Sequence, residues 1–87
     1  MDITWEEIYE LINSGNYQDR FKGEYAELRD RYLRLSKMLI DFEKGKLNFV
    51  PTCPIELLWR QSEYMFNYMN ILEKRAKIEG IDLSRYI

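Results

Sequence analysis

Eighty-seven residues make one domain with room for only a modest core. An apolar share of 46% beside a charged share of 32% describes a globular chain and argues against disorder. The net charge of −2, from 13 basic and 15 acidic residues, does not suit a grip on long nucleic acid, and no run approaches the roughly 20 apolar residues of a membrane span. There is no histidine, so the usual general base is missing and no Cys/His cluster can hold zinc. Cys53 is the one cysteine and cannot form an internal disulfide, which fits a reducing cytosol. Asp2, Glu6, Glu7 and Glu10, with no early basic residue, argue against a signal peptide.

Thr4-Trp5-Glu6-Glu7 reads as a capping box: Thr4 accepts from the backbone of Glu7, and Glu7 reaches back. Ile3 and Ile8 are placed as a hydrophobic staple. Trp5, Ile8 and Ile12 then share a face, with Tyr9 and Leu11 beside it. Ser14-Gly15 supplies the stop, Gly15 being free to turn left-handed, so helix 1 is expected at about 4–13.

Asn16 to Asp19 gives a second cap, and a helical pattern runs from about 17 to 44 before Gly45. Phe21, Tyr25, Leu28, Tyr32, Leu35, Leu39 and Phe42 recur at alternating steps of four and three, a heptad seam. Glu27, Asp30, Arg34, Lys37 and Asp41 face the other way. Gly23 interrupts good helix formers at a cost of about 1 kcal/mol against Ala. Either a neighbouring backbone or a ligand approaches there, or the helix proper begins after it.

Residues 45–53 form the one sizeable loop. Pro51 blocks helix continuation, and Pro54 suits the first position of helix 3, capped by Cys53 or Thr52. Glu56 suits the first turn, and Lys74, Arg75 and Lys77 suit the last turns of a helix running to about residue 79 and stopped by Gly80. Two helices of nearly equal length, each about 40 Å at 1.5 Å per residue, joined by a short loop, predict an antiparallel hairpin. Counting back from the loop sets Arg31 near Asn67 and Gly23 near Arg75. The expected fold class is therefore all-α: a short N-terminal helix plus a long, coiled-coil-like antiparallel hairpin.

Helix 3 is apolar over too wide an arc for one partner. Leu58, Met65, Met69, Leu72 and Ala76 make one stripe; Leu57, Tyr64, Ile71 and Ile78 make a second; Trp59 and Phe66 add a third surface. Helix 1 and the Ile81–Ile87 tail cover part. The remainder predicts a homo-oligomer of closed symmetry, because large bare apolar patches mark interfaces.

No phosphate-cradling Gly-rich loop, nucleophile elbow or distinctive carboxylate pair is present, so a non-enzymatic role is expected. Four features remain. Gln61, Tyr68 and Arg75 form a column spaced by sevens; they are either the polar border of the core, with Arg75 snorkelling, or groups aimed into a pocket between protomers. In a pocket Arg forks onto phosphate, Tyr stacks on a ring and Gln reads a base edge. Arg20, Phe21, Glu24 and Tyr25 surround Gly23 and, by the loop count, sit near Arg75. Glu24 then either pairs with Arg75 as an ordinary surface ion pair or orients it toward a ligand. Arg29, Arg31 and Arg34 read as a solvated face paired with Glu27 and Asp30, Arg31 being the one beside the seam. Cys53 is explained by capping and packing.

Several segments together resemble a family of small phage-encoded helical-hairpin proteins related to a crAss-like phage protein. The matching stretches are Ile12 to Tyr25, the Leu28/Arg31/Tyr32/Leu35/Met38/Leu39 pattern, Asn48 to Pro54, and Gln61…Met65…Tyr68…Leu72…Arg75 with Ile78 to Ile81. The group is similar in build to phage hairpin proteins that act as sponges for nucleotide immune signals. Those oligomerise and bind cyclic dinucleotides or cyclic ADP-ribose-type molecules without cleaving them, blunting the defence systems called CBASS and Thoeris. The resemblance implies a homo-oligomeric sequestrant in the host cytoplasm, with no cofactor. It singles out Arg20, Glu24, Tyr25, Arg31, Gln61, Tyr68 and Arg75, whether as ligand contacts or as residues that hold the hairpin. The rival expectations are a protein-interaction module docking through Leu57, Trp59 and Phe66, and a nuclease or a hydrolase of cyclase products.

Overall fold

The computed structural model describes residues 3–87, so Asp2 of the acidic N-terminus lies outside the described residues. They form three helices and no strand: α1 (Trp5–Ile12), α2 (Tyr17–Glu43) and α3 (Ile55–Glu79), followed by a single 3₁₀ turn at Ser84–Tyr86. Among them, no helix is long and apolar enough to cross a membrane. At 1.5 Å per residue α2 is about 40 Å long, which accounts for the 42 Å long dimension of the molecule.

The helix ends follow local side-chain chemistry, with three corrections. Thr4 Oγ1 accepts from the Glu7 amide at 3.2 Å, and Asn16 Oδ1 accepts from the Asp19 amide at 3.2 Å; each satisfies a first-turn donor that has no partner within the helix. The Glu7 carboxylate, expected to reach back to Thr4, instead accepts from Arg85 at 2.6 Å and ties α1 to the C-terminal tail. Gly15, expected to turn left-handed, does not; α1 ends at Asn13 (φ −95°), whose side-chain amide donates to the Tyr9 carbonyl at 2.9 Å. Neither Cys53 nor Thr52 caps α3. Pro54 itself is the cap residue (φ −55°, ψ 136°), its carbonyl accepting from Leu57 and Leu58, and Cys53 is exposed. Gly45 (φ 68°) and Gly80 (φ 72°) do adopt the left-handed conformation that ends α2 and α3.

The core is assembled at one end of the molecule. Ile8 of α1, Phe21, Tyr25 and Ala26 of α2, Met69, Leu72 and Ala76 of α3, and Ile81, Leu83 and Tyr86 of the tail are buried together, with Leu28 and Tyr32 packed against them. Alternation of three and four along α2 turns Phe21, Tyr25, Leu28 and Tyr32 to one side, so one stripe of the helix faces this cluster. Leu39 is buried farther along, but Phe42, the last residue of the expected seam, is 41% exposed. Gly23 marks the crossing of α1 over α2. A Cβ placed there would lie 2.9 Å from the backbone nitrogen of Ile12 and 2.9 Å from Leu11 Cβ. The close approach is thus made by a neighbouring backbone, the first of the readings the sequence left open.

Contacts between α2 and α3 descend along one helix as they ascend along the other: Tyr17 meets Glu79, Tyr25 meets Glu73 and Tyr32 meets Phe66. The second stripe of α3 takes no part in this packing. Leu57, Tyr64, Ile71 and Ile78 are exposed at 52%, 68%, 56% and 85%.

Candidate functional site

Two columns of polar side chains face each other across α2 and α3. Arg75, Tyr68 and Gln61 descend α3 by sevens; Tyr17, Glu24 and Arg31 ascend α2 by sevens. The first rung is closed: Arg75 Nη2 donates to the Tyr17 hydroxyl at 3.1 Å, while Tyr17 donates to Glu79 at 2.6 Å and Arg75 Nε donates to the same carboxylate at 3.3 Å. The Arg75 guanidinium also lies over the Phe21 ring, 5.0 Å from its centroid. The Glu79 hydrogen bond, with some burial, raises the Tyr17 phenol above its ordinary pKa. The Tyr17 and Arg75 bonds in turn lower the Glu79 carboxyl. The second rung is closed by the Tyr68 hydroxyl donating to Glu24. Continuing the seven-residue step, Arg31 on α2 and Gln61 on α3 take the place of a third rung, and among the described residues no hydrogen bond joins them.

The expected ion pair between Glu24 and Arg75 is absent, because each is engaged elsewhere: Glu24 by Tyr68 and Arg75 by Tyr17 and Glu79. Two members of the arginine run pair as expected, Arg31 with Glu27 at 2.8 Å and Arg34 with Asp30 at 2.9 Å, each four residues apart; Arg29 does not, being half-buried and in no ion pair among the described residues.

Four of the seven candidate residues share one open groove. Arg20, Glu24, Arg31 and Tyr68, together with Ile12, Glu27 and Leu28, line a hollow of about 370 Å³. Arg20 is anchored by a bond from Nη1 to the Ser14 carbonyl at 2.8 Å, and its remaining donors are available, since a guanidinium carries five. Gln61 lies in an adjoining hollow of about 380 Å³ with Leu57, Arg60, Tyr64, Met65 and Tyr68. Tyr68 is the wall common to both. Each hollow has the size of a small-molecule pocket, and the first carries the mixture such pockets use, apolar wall with a few polar groups.

The other two candidates sit elsewhere. Tyr25 is 1% exposed, and its hydroxyl donates to Glu73 at 2.9 Å. Burial, then the Glu73 carboxylate, pushes its phenol up to about 12. Its ring belongs to the core and offers no free face for stacking. Arg75 belongs to the first rung, outside both hollows. The sequence reading missed Ile12, Glu27 and Leu28 on the groove wall, Arg60 beside Gln61, and Tyr17 and Glu79 in the first rung. The seven-step Tyr17–Glu24–Arg31 was visible as a mirror of the column on α3 and could have found Tyr17. A further hollow, of about 610 Å³, is walled by Trp5, Glu6, Ile8, Tyr9, Glu10, Ile12 and Glu27. Three carboxylates and no cation on its wall give it the wrong sign for a phosphate.

Fold and groove together define a small all-helical protein with an open arginine- and tyrosine-lined recess on its two long helices. The Sequestin family model matches residues 15–78, the span from Gly15 through α2, the loop and nearly all of α3. The chain belongs to the Sequestin family, whose name denotes the sequestering of a molecule. No curated protein and no solved structure matches the chain.

Proposed function

We propose that this protein is a phage-type immune-evasion protein that binds and sequesters a nucleotide signal, of the cyclic ADP-ribose or cyclic dinucleotide kind used by Thoeris and CBASS, without cleaving it. In this reading α2 and α3 act as an antiparallel hairpin in a homo-oligomer, as in the crAss-like-phage-related group it resembles. The observation that carries the proposal is the convergence of Arg20, Arg31, Glu24 and Tyr68 on one groove, in a chain whose family is named for sequestration. Arg20 and Arg31 meet phosphate through charge-assisted, forked hydrogen bonds. Tyr68, 43% exposed, offers a ring for stacking on a base. Glu24 and Gln61 hydrogen-bond base edge or ribose.

Isothermal calorimetry against a panel of cyclic dinucleotides and cyclic ADP-ribose products tests this, followed by denaturation and mass analysis of the released ligand. Binding of at least one member, recovered intact, is expected. A panel that gives no heat throughout sinks the reading, and a cleaved ligand replaces it with hydrolysis. The rival, a module that docks a host or phage protein, is supported by the exposure of Leu57 and Phe66. One stoichiometric protein partner, with all nucleotides inert, would favour it.

A further inference from the structure

We infer that the outer face of α1 docks a basic, amphipathic helix of another protein. This face adjoins the arginine-lined groove, sharing Ile12 and Glu27 with it, but it uses neither Arg20 nor Arg31. It is also distinct from the exposed Leu57 and Phe66 of α3, and α1 lies outside residues 15–78, the span matched by the family model. The inference therefore stands whether or not a nucleotide binds.

Two apolar stripes run along α1. Ile8 is buried in the core, and Leu11 packs against the same cluster. Trp5, Tyr9 and Ile12 form the other stripe, at steps of four and three, and are 50%, 70% and 36% exposed. A surface helix ordinarily turns polar residues to solvent; α1 turns two aromatic rings to it. Aromatic side chains bury roughly 150–250 Å² each, so this stripe leaves on the order of 300 Å² bare, the size of patch that marks an interaction site. It forms the apolar wall of the hollow of about 610 Å³. Anchors at i, i+4 and i+7 are those by which one helix holds another. The bare area falls well short of the roughly 800 Å² that each partner gives to a stable interface between folded proteins. It matches a single helical segment, not a second copy of this chain.

Charge identifies the occupant. Every charged residue before Arg20 is acidic. Glu6 and Glu10 each follow an aromatic of the stripe and line the same hollow, and neither is in an ion pair among the described residues. Glu27 adds a carboxylate from α2, of which Arg31 engages Oε1. A hydrophilic cation would leave Trp5 and Tyr9 wet, and a purely apolar segment would take carboxylates out of water without partners. A helix with one apolar stripe and Lys or Arg on its flanks satisfies both demands. The Trp5 ring already receives a cation within the chain: the Arg34 guanidinium lies over it, 5.4 Å from its centroid.

Trp59→Phe leaves Trp5 as the one tryptophan, so its fluorescence reports burial of this face. The probe is a leucine–lysine amphipathic helix of about four turns. The controls are a leucine–glutamate helix of the same apolar spacing and a serine–lysine peptide of the same charge. The leucine–lysine helix is expected to shift the emission to the blue, and the controls to leave it in place. In calorimetry on the chain with its tryptophans intact, Tyr9→Ser and the double variant Glu6→Gln/Glu10→Gln are each expected to weaken that binding roughly threefold or more, with helicity unchanged. Added salt is expected to weaken the wild type more than the double variant. Unmoved emission with no calorimetric heat overturns the inference. An equal response to either control overturns it too, since the face would then select only charge or only apolar surface, and so does affinity that neither substitution changes. A blue shift that grows with protein concentration alone, and that Tyr9→Ser abolishes, makes a second copy the occupant and overturns it as well.

Discussion

Replacing Gly23 by alanine sets two known effects against each other, and the geometry decides between them. Glycine inside a helix costs about 1 kcal/mol relative to alanine, so propensity alone predicts a more stable protein. The added methyl, however, would stand 2.9 Å from the Ile12 nitrogen, 2.9 Å from Ile12 Cγ1 and 2.9 Å from Leu11 Cβ. A side-chain carbon can rotate away, but a backbone nitrogen moves only if α1 moves. Overpacking of this kind costs about 1–3 kcal/mol, and shifting α1 also loosens Ile8, which is 3% exposed in the core. We expect a net loss of about 1–2 kcal/mol. For a domain of this size that lowers the melting temperature by roughly 5–15 °C. The assay is thermal unfolding followed by far-ultraviolet circular dichroism, with Gly15→Ala alongside. A Cβ at Gly15 would meet nothing within 4 Å, and the residue has no positive φ, so its substitution should be neutral or stabilising by up to about 1 kcal/mol. If Gly23→Ala melts at or above the wild type, the α1–α2 crossing is not as close as described.

Three other outcomes follow from the same geometry. The Tyr25 phenol is pushed up to about 12 in the folded protein, so its neutral form is favoured by folding; that stability is fully present below about pH 10 and is lost as pH rises toward 12. Urea midpoints should therefore fall more steeply over that window in the wild type than in Tyr25→Phe, and parallel slopes would refute the assignment. Tyr86→Ala, in the buried 3₁₀ turn of the tail, should cost about 3 kcal/mol in chemical denaturation; a loss below about 1 kcal/mol would mean the tail is not part of the core. Arg31→Ala removes only an exposed ion pair with Glu27 and should change stability by less than about 0.5 kcal/mol, yet weaken binding of whichever nucleotide calorimetry identifies by tenfold or more. Unchanged affinity would place the ligand elsewhere.

The all-helical class was legible because the signals agree at several levels. Thr4 and Asn16 cap where their side chains suggest, Gly45 and Gly80 turn left-handed, and the three-four alternation from Phe21 to Leu39 does face inward. Three details were not legible, for reasons of competition. Glu7 found a stronger, charged partner in Arg85 than the Thr4 amide offers. Gly15 had no need of positive φ, since Ser14 and Asn13 satisfy the turn through their own side chains. Tyr25 and Tyr68 look alike in sequence, yet one ring is buried against Glu73 and the other stands on a groove wall. Nothing in a heptad count separates a tyrosine on the seam from one beside it until the facing helix supplies the carboxylate. The groove itself was half legible: Arg20, Glu24, Arg31 and Tyr68 were among the candidates, but Glu27 and Leu28 were not, and Ile12 enters from α1, whose approach depends on the gap left by Gly23.

The placement of the three rungs has a consequence for how binding and folding divide the chain. The first rung, Tyr17 with Arg75, stands on the clustered core of α1, α2, α3 and the tail, and its hydroxyl, guanidinium and carboxylate are bonded to one another. The third, Arg31 with Gln61, stands beyond that cluster, where Leu28 and Tyr32 are only partly buried. A ligand arriving there has to displace one exposed ion pair, worth a few tenths of a kcal/mol, and no core contact. A ligand at the first rung would have to break a closed network of three hydrogen bonds. In the proposed reading, recognition falls at the end of the ladder where the protein has the least of its own stability to lose, while α1 and the tail pack into the core at the other end. The family match runs from Gly15 to Ile78. It takes in Tyr17, Glu24 and Arg31 on α2 and Gln61, Tyr68 and Arg75 on α3, stops one residue short of Glu79, and leaves out α1 and the tail.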